Sequence, residues 1–344
     1  MGRRIKIINT VKSFRDQFLG SFFCSILVRK SISFIRIKKK GSMALVMKTD
    51  GNMQDLLQYF PERLRKSIGA FGDGVTEIRL RREKPIVLML NSEMFFFNSN
   101  GRITKAFDND RIKVTSAETD SFFYAICRNS VHSFQEDICS GFITLSGGHR
   151  VGLCGTAVIR DGKITNIKNI SGFNVRVSRE VIGSGEDIYN RIFCGGLKNV
   201  LIAGVPASGK TTILRDLCRL LGSRYKVSLI DERSEIAAVY SGVPQNDIGI
   251  NTDVFDGYSK SDGLETAVRV MSPDIIIFDE AGSQDEFGYM EHAMNCGIRI
   301  CASIHAASIE DIKRRLPFWK SFDRIVMLGK LPNPKHRIYR TDEL

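Results

Sequence analysis

A glycine-rich stretch at residues 204–212 constrains this chain more than any other feature. It fits the pattern of a glycine, four further residues and Gly-Lys-Thr. The apolar run Val200-Leu201-Ile202-Ala203 leads into it, and leucines and isoleucines at helical spacing follow it. A strand, a glycine loop and a helix in this order are typical of a phosphate-binding loop. A plain glycine turn between a strand and a helix is the alternative, and the pattern with its flanking elements favours nucleotide binding.

The residue types in this stretch suit phosphate chemistry. Glycines let backbone N–H groups converge on phosphate oxygens, and a helix that begins at Lys210 adds its positive end. The Lys210 ammonium can reach the β- and γ-phosphates, and the Thr211 hydroxyl can bind Mg²⁺. We therefore expect ATP and Mg²⁺ as the bound groups. The predicted nucleotide-binding residues are Gly204, Val205, Pro206, Ala207, Ser208, Gly209, Lys210, Thr211 and Thr212.

Polar side chains follow three further apolar runs, each predicted to be a buried strand. The runs are 226–230 before Glu235, 273–278 before Asp279 and Glu280, and 298–304 before His305. In an open parallel sheet the ligand lies at the carboxyl ends of the strands, so we expect these groups to converge on the phosphate loop.

Each of these polar groups has a predicted role and a plainer alternative. Asp279 or Glu280 is expected to hold Mg²⁺ together with Thr211, and Glu235 or Glu280 to activate the attacking water. His305 is expected to contact or sense the γ-phosphate. The alternatives are a helix cap for the two adjacent carboxylates and a packed core histidine for His305.

The length and the order of elements predict two domains. A chain of 344 residues exceeds one small core. Strands and helices alternate over residues 191–344, with a polar, glycine-bearing stretch at 241–263, which predicts an α/β domain with a parallel sheet. Residues 43–190 combine short strand patterns with few helices, one of them opened by the capping box Thr115-Ser116-Ala117-Glu118. Residues 141–145 and 150–159, separated by Gly147-Gly148, predict a hairpin, and residues 175–179 predict a closing strand. We expect this smaller first domain to be α+β.

The positive charge is concentrated at the start of the chain. The formal net charge is +12, yet residues 1–40 contain eleven Lys and Arg residues and one acid, Asp16. The remaining 39 basic and 37 acidic residues almost cancel. The sequence therefore argues against a large nucleic-acid footprint on the folded part.

The basic leader, residues 1–42, carries apolar pairs four residues apart, at 18–19, 22–23 and 26–27. The apolar run is too short to span a bilayer, which takes about 20 residues. A basic amphipathic helix lying on a membrane is one interpretation, and a signal peptide lacks a small-residue cleavage site. We favour a segment outside the fold, with translation beginning at Met43, Met47 or Met53.

Eight cysteines are spread along the chain without any Cys-x-x-Cys pair. Several lie in apolar runs, as Cys301 does. Reduced cysteines that pack as small hydrophobic side chains are therefore favoured over a zinc or redox site.

The motifs together resemble those of the secretion ATPases of type II and type IV pilus systems, a group with a RecA-like core. Asp231-Glu232-Arg233-Ser234-Glu235 matches that group's acidic box, which puts Glu235 at the catalytic glutamate position. Residues 273–280 match its Walker B strand and residues 297–305 its histidine box. Asp279 stands where the group usually has glycine, so the metal ligand stays open between Asp279 and Glu280.

Within this group, residues 53–344 are most similar to the stage III sporulation AA family. The stretches that carry this closer match are 148–152, 173–180, 231–235 and 252–254. The resemblance implies a cytoplasmic, hexameric ATPase that works with membrane proteins of a sporulation channel, on the mother-cell side of the forespore membrane. Two rival functions stay open, namely a nucleotide-dependent assembly scaffold with little turnover and a nucleic-acid-dependent motor.

Two arginines of the first domain, Arg150 and Arg176, lie in the stretches of closest family similarity. The second domain has few cations besides Lys210 and Arg233 near its strand ends, and phosphoryl transfer gains from an added arginine. We therefore expect Arg150 and Arg176 to be catalytic, and we expect one subunit to present them to its neighbour's nucleotide. A solvated strand face is the alternative for either residue alone.

Overall fold

The computed structural model describes residues 46–48, 52–69, 74–90, 93–105, 110–282, 284–329 and 336–344. Residues 45–344 form one compact unit. The leader predicted at residues 1–42 lies outside the described residues. None of the helices in the described ranges is long and apolar enough to cross a membrane.

The N-terminal half, residues 46–182, is built on an antiparallel sheet. Its strands are β1 (Val46–Lys48), β2 (Glu77–Arg81), β3 (Val87–Leu90), β4 (Glu93–Phe97), β5 (Ile103–Thr104), β6 (Phe142–Thr144), β7 (Arg150–Arg160), β8 (Lys163–Arg176) and β9 (Glu180–Ile182). Seven of them pair in the order β5-β4-β3-β2-β8-β7-β6, and β1 pairs with β9.

Helices pack against this sheet through a core of aromatic side chains. They are α1 (Asn52–Leu57), α2 (Glu62–Gly69), α3 (Ser116–Ile126) and α4 (Gln135–Ser140). Phe122 of α3 contacts Phe60 in a tilted arrangement and Phe173 edge-on, with ring centroids 4.8 Å and 4.9 Å away. The predicted capping box is confirmed, because Thr115 and Glu118 each accept the other's backbone N–H.

The predicted hairpin is confirmed in the pairing of β6 with β7, but β8 is longer than expected. The sequence pattern predicted a strand only near residues 175–179, whereas β8 begins at Lys163. Residues 163–169 of β8 are largely exposed. Their mixed polar composition follows from that exposure, so the alternation that identifies a half-buried strand is missing.

The C-terminal half, residues 186–344, is an α/β layer structure. Its strands are β10 (Val200–Gly204), β11 (Val227–Asp231), β12 (Thr252–Asp256), β13 (Ile275–Phe278), β14 (Arg299–His305), β15 (Arg324–Leu328) and β16 (His336–Arg340). Its helices are α5 (Glu186–Ile192), α6 (Lys210–Leu221), α7 (Lys260–Thr266), α8 (Gln284–Asn295) and α9 (Ile309–Arg315). The sheet order is β12-β11-β13-β14-β10-β15-β16, and only the pairing of β16 is antiparallel.

Helices cover both faces of this sheet, as its continuously apolar strands require. Along β10, Val200 and Ile202 join the core that contains α5 and α6. Leu201 and Ala203 join the opposite core, with α7, α8 and α9. The predicted α/β architecture with a parallel sheet is confirmed. The expected domain boundary at residues 190–191 falls inside α5, and it stays a prediction.

Two edge strands, β12 and β16, were not predicted from the sequence. β12 lies inside a stretch interpreted as a polar, glycine-bearing connection, residues 241–263. The sequences of the two strands, Thr-Asp-Val-Phe-Asp and His-Arg-Ile-Tyr-Arg, lack the unbroken apolar run that marks a strand covered on both faces. An edge strand needs no such run, because its outer edge is unpaired and several of its side chains remain in contact with solvent.

Candidate active site around the phosphate loop

The phosphate loop joins β10 to α6 at the carboxyl edge of the parallel sheet. Only glycine fits at position 204, since a Cβ there would lie 2.4 Å from Ser208 Oγ. Ala207 and Gly209 both have positive φ angles, 59° and 93°, which turn the backbone sharply before the helix. The resulting turn, with the uncapped N–H groups of the first helical turn, forms a cradle for an anion.

Lys210 lies inside this turn and connects it to His305. The Lys210 ammonium donates to the carbonyls of Gly204 and Val205 at 3.1 Å each, and it is 3.0 Å from His305 Nδ1. Because an ammonium has no lone pair, Nδ1 must accept, and the proton of a neutral His305 is on Nε2. Burial lowers the pKa of Lys210, and the charges of Asp279 and Glu280 partly offset this.

The two carboxylates after β13 face different partners. Asp279 Oδ2 accepts a hydrogen bond of 2.5 Å from the Thr211 hydroxyl. Its other oxygen accepts from the Ser303 hydroxyl and, at 3.0 Å, from the Glu280 N–H. Glu280 instead contacts His305. Of the two candidates for the metal, Asp279 is therefore the one beside Thr211.

Glu280 is held by two cationic or donor groups. Its Oε1 lies 2.9 Å from His305 Nε2, and its Oε2 lies 2.8 Å from an Arg233 nitrogen. Burial by itself would raise the pKa of Glu280, but the His305 hydrogen bond and the Arg233 charge outweigh it, so the pKa is lowered. Glu280 also has a φ of 56°, a conformation that costs energy for a residue with a side chain.

The loop that carries Glu235 is organised by two charged side chains, the buried Asp231 and the half-buried Arg215. The Asp231 carboxylate accepts the backbone N–H groups of residues 235, 236 and 237 at 2.8–3.0 Å. Arg215, one helical turn after Thr211, donates to the carbonyls of Glu235 and Ile236. Burial lowers the pKa of Arg215, and among the acidic groups the charge of Asp231 offsets this most. The Glu235 backbone is thus hydrogen-bonded at its N–H group by Asp231 and at its C=O group by Arg215.

Arg150 and Arg176 lie beside Glu235 of the same chain. They face each other across the β7–β8 pairing, and both line a cleft shared with Thr211, Arg215 and Glu235. An Arg150 nitrogen lies 2.8 Å from Glu235 Oε1, and the guanidinium stacks 3.6 Å above the Phe142 ring centroid. Within this chain Arg150 therefore contacts Glu235, because the N-terminal half packs against the carboxyl edge of the second sheet. The expected role of Arg150 and Arg176 at a neighbouring subunit's nucleotide stays a prediction.

The residues present fit a nucleotide with a magnesium ion. Ser208 Oγ in the loop is buried and has no hydrogen-bond partner among the described residues. Among the described residues, the Lys210 ammonium contacts two backbone carbonyls and a histidine nitrogen, which a phosphate oxygen can replace. The described ranges hold no cluster of three or more His, Cys, Asp or Glu residues suited to a metal. Mg²⁺ is commonly held by one or two protein groups together with phosphates and water, and the Thr211 hydroxyl and the Asp279 carboxylate are groups of that kind.

Three side chains that contribute here were not singled out from the sequence. They are Arg215, Ser303 and the Asp231 carboxylate as a loop organiser. For two of them, the spacing from a predicted site residue could have indicated a place in the site. Arg215 follows Thr211 by four residues and so lies on the same helix face. Ser303 precedes His305 by two residues and so lies on the same strand face.

We predict that Asp231 makes stability depend on pH. Burial raises the pKa of Asp231 to about 6 from 3.8, against the lowering effect of its three N–H donors. The folded state thus holds this proton more tightly, and the resulting stabilisation is lost as the pH rises from about 4 to about 6. Relative to Asp231→Asn, the free energy of unfolding of the wild type should fall by about 3 kcal/mol over that range.

Chemical denaturation at pH 4, 5, 6 and 7 measures this difference. Asp253→Asn on the exposed edge strand β12 is the matched control. A difference between wild type and Asp231→Asn that does not change with pH would contradict the assignment.

Comparison with known proteins places the chain in a family. The family described as sporulation stage III, protein AA, matches residues 52–341. The stage III sporulation protein AA of Bacillus subtilis (strain 168) is 29% identical over 297 residues, covering 82% of this chain and 92% of that protein. The protein SEEDLING PLASTID DEVELOPMENT 1 of Arabidopsis thaliana is 32% identical over 158 residues, which cover 44% of this chain and 23% of that protein.

Solved structures share the fold at low sequence identity. The ATPase DotB of Legionella pneumophila has a TM-score of 0.51 at 15% identity, over 80% of this chain and 79% of DotB. The pilus retraction motor PilT, solved with ADP, has a TM-score of 0.52 at 15% identity, over 81% of this chain and 82% of PilT. The fold is therefore that of the RecA-like secretion ATPases. By the match across residues 52–341, this chain belongs to the sporulation stage III protein AA family.

Proposed function

We propose that this protein binds ATP with Mg²⁺ and hydrolyses it to power or gate a membrane secretion complex during sporulation. The observation that carries the proposal is the convergence of Lys210, Thr211–Asp279, His305–Glu280 and Glu235 at one edge of the sheet. Family membership supports the sporulation context. The cytoplasmic location, the hexameric ring and the channel proteins of the forespore membrane belong to this proposal.

Each group has a distinct part in the proposed reaction. Lys210 exchanges its carbonyl partners for the β- and γ-phosphate oxygens. Thr211 and Asp279 would hold Mg²⁺, which neutralises phosphate charge when it is bound. Glu235 accepts the proton of the attacking water, since its backbone is fixed by Asp231 and Arg215.

Arg150 and Glu280 orient these groups. Arg150 fixes the direction of the Glu235 carboxylate and supplies positive charge near the transferring phosphate. Glu280 holds the Nε2–H of His305, so that the Nδ1 atom stays directed at Lys210. If Lys210 leaves His305 when the nucleotide binds, His305 loses a hydrogen-bond donor at Nδ1, and its contact with Glu280 is affected in turn.

The first test is nucleotide binding by a Lys210→Ala variant. Removing the ammonium deletes a charge-assisted hydrogen bond, so affinity for a labelled ATP analogue should fall about 10-fold or more. Lys163→Ala, at an exposed hairpin position, is the control and should bind normally. Unchanged affinity of Lys210→Ala would refute the phosphate-loop assignment.

The second test separates the two candidate glutamates by turnover. Glu235→Gln keeps its shape but cannot take a proton, so phosphate release should fall roughly 10²-fold while ATP still binds. Glu280→Gln keeps a hydrogen-bonding group toward His305 and should lose less. Normal turnover of Glu235→Gln would transfer the role of the base to Glu280, and absence of turnover in the wild type would favour the scaffold function.

The third test asks whether Arg150 acts within its own chain. Arg150→Ala should lower turnover more than ATP affinity, because the arginine contacts Glu235 rather than the phosphate loop. When Arg150→Ala is mixed with Lys210→Ala, we expect no recovery of activity, since neither chain then holds a complete site. Partial recovery would show that a neighbouring subunit supplies the arginine.

A further inference from the structure

The segment that follows Glu235, residues 236–247, folds into a small hairpin that we call the acidic-box loop. Tyr240 and Val243 exchange backbone hydrogen bonds of 2.9 Å and 3.0 Å around the turn residues Ser241 and Gly242. These two have φ angles of 52° and 76°, as a tight two-residue turn requires.

The base of the acidic-box loop is closed next to the candidate catalytic glutamate. Gln245 N donates to the Ala237 carbonyl at 3.0 Å, and the Asn246 side chain donates to the Ile236 carbonyl at 2.6 Å. Arg215 also donates to the Ile236 carbonyl. The loop therefore joins Glu235 through hydrogen-bonded backbone, so that a displacement of its tip is transmitted to its base.

The N-terminal half grips the tip of the acidic-box loop at Tyr240. The Tyr240 hydroxyl accepts from Arg128 Nε at 2.8 Å and lies 3.0 Å from the Tyr59 hydroxyl. The Arg128 guanidinium also lies 4.3 Å from the Tyr240 ring centroid and donates to Ser241 Oγ at 2.7 Å. The Tyr240 phenol thus contacts two residues of the N-terminal half, the Arg128 guanidinium and the Tyr59 phenol.

The groups around Tyr240 are themselves held in place. Tyr59 is buried, and burial together with its hydrogen bond to Tyr240 raises its pKa. Arg128 has a φ of 49° directly after α3, a conformation that persists only where surrounding contacts impose it. Such a built contact is unusual for a simple surface turn.

Two further contacts tie the loop to the N-terminal half near its base. The Gln245 side chain accepts from the Gly147 N–H at 2.8 Å, and the Asp247 N–H donates to Glu180 at 2.8 Å. The Gly147 contact lies three residues before Arg150, which pairs with Glu235. The tip of the loop, its base and Glu235 itself therefore all contact the N-terminal half.

We propose that Tyr240 is a positioning residue for Glu235, and that the N-terminal half sets the place of that carboxylate through its grip on Tyr240. The phosphate loop is anchored in the parallel sheet, whereas the position of Glu235 depends on the acidic-box loop. A shift of the N-terminal half would thus move Glu235 relative to the phosphates. This proposal rests on the proposed ATP hydrolysis and names residues through which its rate would be controlled.

The test removes the Tyr240 hydroxyl in the full-length chain. Tyr240→Phe keeps the ring against Arg128 but loses both hydrogen bonds, so turnover should fall about 5–10-fold. Affinity for a labelled ATP analogue should not change, since the phosphate loop is untouched. Tyr258→Phe, an exposed tyrosine after β12, is the matched control and should keep full turnover.

A second comparison shows whether the effect passes through Glu235. Groups that act as a unit have non-additive effects, so Tyr240→Phe should reduce turnover little further in a Glu235→Gln background. An equal reduction in both backgrounds would overturn the positioning role. So would full turnover of Tyr240→Phe, or a loss explained wholly by weaker ATP binding.

Hydrogen exchange gives a readout that does not need turnover. The amides of residues 240, 243, 245 and 246 should exchange several-fold faster in Tyr240→Phe than in Tyr258→Phe, because the grip on the tip is weakened. Unchanged exchange would disprove the grip whatever the turnover. If exchange is faster in Tyr240→Phe but the wild-type protein shows no ATP turnover, the grip on Tyr240 is upheld and the proposed hydrolysis is refuted.

Discussion

The parallel register of β10 against β14 is the constraint on which the site depends. Gly204 lies directly opposite His305, and β14 in turn pairs with β13, which ends one residue before Asp279. Each of these strands is hydrogen-bonded on both sides and covered on both faces, so its end cannot shift alone. The backbone positions of Asp279 and His305 are therefore set by the sheet rather than by flexible loops.

Glu235 is positioned by a different kind of constraint. It follows β11 by four residues, beyond the hydrogen bonds of the sheet, and depends on Asp231 and Arg215 for its backbone. Asp231 is buried and Arg215 is half-buried, and each of them hydrogen-bonds directly to the backbone of the loop. The same loop also contacts the N-terminal half, at Tyr240 and Gln245.

This division bears on the proposed ATP hydrolysis. Nucleotide binding would rely on the rigid part, that is Lys210, Thr211 and the turn around them. Water activation would rely on the part that contacts the N-terminal half, through Arg150 and Tyr240. A protein built in this way can hold ATP while the rate of hydrolysis responds to the position of its N-terminal half.

Sequence patterns predicted those features that depend on neighbouring residues. The phosphate loop, the buried parallel strands and their polar ends each follow from local spacing, because a strand covered on both faces needs an unbroken apolar run. The capping box at Thr115 and the β6–β7 hairpin were predictable for the same reason. Edge strands such as β12 were not predicted, because a strand exposed on one side does not need an unbroken apolar run.

The sequence by itself thus determined the fold class and the chemistry of the strand ends. Only the tertiary structure decided which carboxylate lies beside Thr211, since Asp279 and Glu280 are adjacent in sequence and their partners come from different elements. It also decided that Arg150 meets Glu235 within one chain, across 85 residues of sequence. No local pattern encodes such a contact, because it arises from the packing of two separately folded sheets against each other.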